Sequence, residues 1–493
     1  MKKTSLILLS MLLLSSVLSA QESIMFDKQF VFDNHGSYPK DLKQTPDGGY
    51  ICGGGIGFAM YDTRFLLFKT DSLGELEWYK YQDNPSINSD LWAVDLTKTG
   101  GYVGIGSTQD NPDWHQSGAI VMYDESGDTL WTKQYAFEDP SIADAYSKII
   151  FYDGIFTSDN SLIAAGSIID DNLGSDPNPI VVKTNIQGDT LWTWRLYNTD
   201  NTIVINSIAE TQEGDYVAVG RADMPILPED KTYAPQRGFI VKLSADGELI
   251  YLKEWTDIEF NYFNDLAINN NGELVISGIC FRHPPEYDDD SYYSLLVKTD
   301  ALGETIFYEE IFHGKNCVGI GVVTNNADDI CLLTMFGAPT DTNGVWGFEV
   351  LLQKYYNDGN FGWEKSIGGI NITNWPYAIA STNDNGFAFC GLYSTDTQNY
   401  SWLVKTDSLG NGVYSDGWTN DISSNDYDQE IHIYPNPAKQ NINVQFLNEQ
   451  NRFNISFFSI DGRAVKHIEN SSNTVYVGDL SNGLYLLKID YDN

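Results

Sequence analysis

The chain has 493 residues, 68 of them acidic and 29 basic, for a net charge of −39. That balance excludes nucleic acid as a partner, because phosphates need Lys and Arg, and it disfavours anionic lipid heads. It fits a chain kept soluble in a crowded or salty exterior. The five cysteines (Cys52, Cys280, Cys317, Cys331 and Cys390) are odd in number and lack metal-ligand spacing, and most sit in apolar runs where a thiol serves as a small core residue.

In chain order, residues 1–20 read MKKTSLILLSMLLLSSVLSA: two lysines, an apolar run and then small residues. This is the pattern of a secretory signal peptide, too short to span a bilayer as a stable helix. No cysteine follows the apolar run, so a lipid-anchored form is not expected, and no other segment is apolar for long enough to form a transmembrane segment. An isolated strand-like piece, MFDKQFVFD, comes next at 25–33.

From there one phrase recurs: a Thr or Asn, a turn, then a strand rich in small and aromatic residues. It appears as TPDGGYICGG (45–54), TKTGGYVGIG (97–106), TSDNSLIAAG (157–166), TQEGDYVAVG (211–220), NNNGELVISG (269–278), NNADDICLLT (325–334) and TNDNGFAFCG (382–391). A second phrase follows each copy, as in FLLFKTDSLGELEW (65–78), AIVMYDESGDTLW (119–131) and WLVKTDSLGNGVY (402–414). KTDSLG at 69–74 and 405–410 is thus the same hairpin turn in the first and last repeats. Each copy holds four short strand signals bounded by Gly, Asn and Asp, with no helical period. Seven four-stranded units predict a seven-bladed β-propeller over 21–410.

Closure follows from the same pattern. The last copy has no Trp-led fourth strand, whereas 25–33 matches LWTKQYAFED (130–139), Lys28-Gln29-Phe30 standing against Lys133-Gln134-Tyr135. The N-terminal strand is therefore expected to complete the seventh blade, since an open ring would leave hazardous edges. Within each blade the first-to-second and third-to-fourth turns are tight, and the other connections are long and variable. Alternation places all the variable connections on one face of the disc, where recognition usually resides. Candidate ligand-binding residues on that face are Trp92, Trp114, His115, Tyr146, Tyr233, His283, Tyr287, Tyr292, Trp346, Trp375 and Tyr377. Aromatic rings stack on sugar faces or anchor proteins, and the competing expectation is that each ring packs its loop onto a blade.

The first strands, which line the channel, carry Asp41, Ala93, Asp153, Ser207, Asp265, Gly321 and Ala378 at equivalent positions. The three acids are candidates for holding a cation such as Ca2+; otherwise they bond the backbone of the neighbouring blade. No other cofactor is implied. There is no GxSxG, HExxH or P-loop, and GGGIG (53–57) is followed by no helix. Arg64, Arg221, Arg237 and Arg282 are the arginines that a carboxylate-binding site would have to gather.

After 410 the texture changes to a polar linker (411–430), then short alternating strands over 431–493 that predict a small antiparallel, Ig-like β-sandwich. These strands resemble the type A C-terminal sorting domain of the type IX (Por) secretion system of Bacteroidetes. The resemblance is carried by Tyr434-Pro435-Asn436-Pro437, by ISFFSIDGR with Gly462, and by LSNGLYLLKI with Gly483. It implies the type IX machinery as a partner, passage across the outer membrane, and a secreted or outer-surface location. The family usually continues through one more strand ending in a basic residue, so this copy, closing on Asp490–Asn493, is expected to lack it. The repeats are similar to the β-propeller repeats often joined to such tails. The chain is thus expected to be all-β and to act as a surface-displayed or secreted binding module for a glycan or a surface protein. The alternatives are a propeller glycoside hydrolase or lyase using loop carboxylates and a structural adhesion or surface-layer component.

Overall fold

The computed structural model describes residues 24–59, 62–82, 87–110, 116–136, 147–170, 177–196, 202–223, 236–258, 260–282, 291–313, 315–339, 346–367, 373–395, 398–412, 431–434, 440–446, 453–459, 464–471, 474–480 and 485–490. The expected signal peptide and most of the expected linker lie outside them. The chain divides into two units, Met1–Asn420 and Asp421–Asn493.

In the first unit each repeat folds as a four-stranded antiparallel sheet. The strands Gly36–Gln44, Tyr50–Ala59, Asp62–Thr70 and Leu76–Tyr81 make blade 1 in chain order, and blades 2 to 6 repeat that order. Blade 7 is split: Thr373–Ser381, Phe387–Ser394 and Asn399–Thr406 are completed by Phe26–Phe30, which pairs with the last of these antiparallel. The seven-bladed propeller is therefore closed by its own N-terminal strand.

The tight turns form as the residues dictate. In both KTDSLG copies the aspartate accepts two backbone N–H bonds within the turn, Asp71 from Leu73 (2.9 Å) and Glu75 (2.8 Å), Asp407 from Leu409 and Asn411 (2.8 Å each). The glycine then takes φ of +75° at Gly74 and +73° at Gly410, a conformation costly for any side chain. The space at these glycines is filled from the preceding blade: a Cβ at Gly127, Gly188, Gly247 or Gly410 would strike Trp78, Trp131, Trp192 or Trp363 within 3 Å. At Gly74 of blade 1 the ring in that place is Phe26 of the N-terminal strand, 2.7 Å from such a Cβ.

Closure thus reuses the ordinary blade-to-blade contact. The ion pairs repeat it too, Lys28 to Glu75 across the closure matching Lys133 to Asp189 between blades 2 and 3, both 2.6 Å. Trp402 Nε1 donates to Asp27 at 2.7 Å and pins the split blade together.

The core consists of apolar seams, one between each pair of neighbouring blades around the ring. All five cysteines are buried thiols within the sheets and none forms a disulfide. Cys331 lies opposite Val323, so the hairpin does not bring it to Cys317.

The second unit holds two three-stranded sheets. One is Ile431–Tyr434, Asn441–Phe446 and Thr474–Tyr476; the other is Ala464–Ser471, Phe453–Ser459 and Tyr485–Asp490. Ile442, Val444 and Val475 from the first pack with Ile455 and Phe457 from the second, which makes a small β-sandwich.

Candidate functional site

All seven inner strands break register at the same place, and one residue in each is left without a partner on the second strand: Lys40, Trp92, Tyr152, Asn206, Asn264, Ile320 and Tyr377. A β-bulge of this kind re-aims a side chain out of the ladder. These seven line a central cavity of about 350 Å³. Trp92 and Tyr377 therefore sit inside inner strands, not in the connections where the sequence suggested them.

The bulge residues fall into two arcs. On one, Lys40 Nζ lies 3.9 Å from the ring centre of Tyr377, 4.6 Å from Trp92 and 5.4 Å from Tyr38. Tyr152 continues the arc, edge-on to Trp92 at 5.2 Å. Cation–π contacts of this kind strengthen as water is removed. Tyr38 donates its hydroxyl to Asp90 at 2.9 Å, a contact that the bare Gly55 permits, since a Cβ there would lie 2.1 Å from the Asp90 oxygen. GGGIG is thus a close approach between blades. Burial raises Asp90 to about 6, with Tyr38 and Lys40 opposing; burial also lowers Lys40, with Asp90 opposing. On the other arc, the amides of Asn206 and Asn264 each donate to the backbone of the next blade, at Phe263 O and Gly319 O, both 2.7 Å.

One residue further along the inner strands sit Asp41, Asp153 and Asp265. Each clasps the next blade through the backbone N–H of Val94 (3.0 Å), Ile208 (2.8 Å) and Val322 (2.9 Å) respectively. Asp95 does the same for Phe156 at 2.8 Å. Ser207 Oγ lies within hydrogen-bond distance of both Asp153 (2.9 Å) and Asp265 (3.1 Å), and its single proton serves one of them at a time. Burial raises Asp153 to about 7 and also raises Asp265. Lys43 pairs with Asp41 at 2.9 Å; burial pulls its pKa down, but Asp41, Asp95 and Asp153 more than reverse this. Among the described residues no group of three or more His, Cys, Asp or Glu side chains could hold a metal ion.

A second cavity, about 310 Å³, opens at the variable-loop ends of blades 4 to 6 and is lined by Tyr262, Phe281, Tyr292, Met335, Phe348 and neighbours. Phe281 and Tyr292 meet edge-on at 4.6 Å, and Phe348 lies 4.7 Å from Trp375, which is 36% exposed. Tyr262 is pushed up to about 12 by burial, against the charge of Arg221. Of the arginines, Arg64 is bonded to Asp62 on blade 1, Arg221 and Arg237 lie on neighbouring strands of blade 4, and the side chain of Arg282 is outside the described residues.

Of the residues singled out from sequence, Trp92 and Tyr377 thus meet in the channel, and Tyr292 and Trp375 on the rim. Trp346 opens the strand Trp346–Tyr355, and Tyr434 ends Ile431–Tyr434. Trp114, His115, Tyr146, Tyr233, His283 and Tyr287 lie outside the described residues, as do Pro435, Asn436, Pro437, Gly462 and Gly483. Lys40, Tyr152, Tyr262, Phe281 and Phe348 were missed. The first two were one residue away from the equivalent positions already aligned.

The fold defines a seven-bladed β-propeller followed by a small sandwich tail. Residues 432–493 match the family described as the secretion system C-terminal sorting domain. The chain therefore carries a type IX (Por) sorting tail, which marks it for export to the cell surface or release. No curated protein sequence matches the chain.

Similar solved structures include a polysaccharide lyase of family PL25, an ulvan lyase bound to -[GlcA(1-4)Rha3S]-, at 9% identity over 77% of this chain and 96% of that one, with a TM-score of 0.47. A protein of unknown function from Bacteroides caccae is 10% identical over 67% of this chain and 94% of that one, TM-score 0.36. PorZ, an essential bacterial surface component of the type-IX secretion system of Porphyromonas gingivalis, is 9% identical over 97% of this chain and 86% of that one, TM-score 0.31.

Proposed function

We propose that the propeller is a non-catalytic glycan-binding module carried to the outer surface or the exterior by its sorting tail. The observation that carries this reading is the rim groove. Five aromatic side chains from three blades gather at the variable-loop face around and beside a cavity of about 310 Å³, and one of them, Trp375, is 36% exposed. Rings fixed by packing against one another present flat apolar faces at low conformational cost, as a pyranose requires.

A glycan array read with the mature chain and with Trp375→Ala tests it. The expected result is binding to a defined set of polysaccharides that falls about tenfold in the variant. A polysaccharide-depolymerisation screen runs alongside. Release of products would replace this reading with a catalytic propeller, and no binding to any glycan would leave a structural surface role.

A further inference from the structure

We infer that the central channel is a second site, independent of the rim groove, for a small hydroxylated monocarboxylate of the hexuronic-acid class. Lys40 carries the argument. Its ammonium group is packed on the faces of Tyr377, Trp92 and Tyr38, and among the described residues it has no hydrogen-bonded oxygen partner. Asp90 acts on it only through space, its carboxylate being engaged by the Tyr38 hydroxyl. Lys40 lines a cavity of about 350 Å³ to which all seven inner strands contribute, within the range of small-molecule sites. An ammonium has three donors, and removing them from water without an acceptor is costly. A ligand carboxylate supplies that acceptor in a charge-assisted bond.

The remaining lining sets the rest of the ligand. Trp92, Tyr152 and Tyr377 offer ring faces and edges to a pyranose. Across the cavity Asn206 and Asn264 use their N–H groups on the next blade's backbone, so each amide oxygen is the atom that can accept from a sugar hydroxyl. Asp41 (paired with Lys43), Asp153, Asp265 and Glu210 also line the cavity, and whichever of them is ionised repels a phosphate dianion more than a monocarboxylate. The net charge of −39 opposes any anion at long range, but at 0.15 M salt that repulsion is screened beyond about 8 Å.

The test is titration calorimetry of the mature chain with galacturonate against galactose, which differ only in carboxylate versus hydroxymethyl. The expected result is tighter binding of galacturonate by about tenfold or more. Lys40→Met keeps the apolar stem against the rings and should abolish the preference, whereas Lys40→Arg should keep it. Equal affinity for the two sugars, no galacturonate binding at millimolar concentration, or an undiminished preference in Lys40→Met would overturn the inference. If Lys40→Met does not fold, protection of Lys40 from amine acylation by galacturonate but not galactose, read by mass spectrometry, decides the same question. Loss of polysaccharide binding in Trp375→Ala leaves this test untouched, so the two sites stand or fall separately.

Discussion

Lys183 explains why Lys precedes Thr-Asp or Thr-Asn in so many repeats. Its side chain is only 6% exposed, and its ammonium group reaches Asp159 in the first tight turn of the same blade at 2.7 Å. The same pairing joins Lys69 to Asp47, Lys298 to Glu273, Lys354 to Asp329 and Lys405 to Asp384. Burial works against ionisation of Asp159, but hydrogen bonds from Lys183, Thr157 and Ser161 hold it down at about 2. Blade 2 loses both partners together: Met122 stands in place of the lysine and Thr99 in place of the acid. Lys183 is buried although Asp159 is 52% exposed, so removing the acid leaves the ammonium only a long contact to the Ala245 carbonyl, whereas replacing both partners with neutral groups is often tolerated. Asp159→Thr alone should therefore cost about 1 kcal/mol, solvent screening the half-exposed carboxylate. Adding Lys183→Met, to copy blade 2, should restore most of that loss. Urea denaturation of the two single variants and the double variant measures the coupling; additive losses would show that the pair contributes nothing specific.

At the scale of the element, the strand Phe26–Phe30 closes the ring because it copies the contacts of an ordinary fourth strand. Phe26 covers Gly74, Lys28 reaches Glu75, and Asp27 accepts from Trp402. Deleting 25–33 exposes the edge of Asn399–Thr406 and opens the seam holding Phe26, Phe30 and Phe32. Large-to-small changes at single buried Phe side chains already cost about 3–5 kcal/mol, so this deletion should lower the propeller's melting temperature far more than deletion of 431–493. Equal melting of the two truncations would refute closure by the N-terminal strand.

This strand was legible because its Lys-Gln-aromatic run repeats that of blade 2, and the blades were legible because turn glycines and the aromatic rings over them recur. The bulges were not. Lys, Trp, Tyr, Asn and Ile all occupy that position, since a residue outside the ladder is not selected by strand packing, and no periodicity marks it. The rim groove was half legible for a similar reason: no repeat marks Tyr262, Phe281 or Phe348, and only the folded strand ends bring them beside Tyr292 and Trp375.

Across the whole molecule, seven apolar seams hold the blades side by side, and the channel carboxylates tie inner strand to inner strand. This clasp makes ring stability depend on pH. Asp153 stands at about 7 in the fold because burial penalises its charge, with Asp41 and Asp265 adding repulsion against the Ile208 N–H and Lys43. Asp90 stands at about 6, and Asp95 and Asp265 are raised by burial as well. An unfolded Asp titrates near 3.9. Between about 4 and 7 the folded chain therefore holds protons that the unfolded chain has released, and stability falls as pH rises through that window.

The turn carboxylates act oppositely. Asp47 and Asp159 sit at about 2, so their contribution is complete above about 4 and is lost only below it. The melting temperature should accordingly rise on acidification from pH 8 to about 5 and fall again below about 4. Asp153→Asn keeps one acceptor oxygen and removes the titration, so it should flatten the rise between 8 and 5 while leaving the acid limb in place. Calorimetric melting of wild type and variant across that range checks it. A wild-type midpoint that is flat or falling from pH 8 to 5, or an unaltered slope in the variant, would mean that these carboxylates remain ionised in the channel.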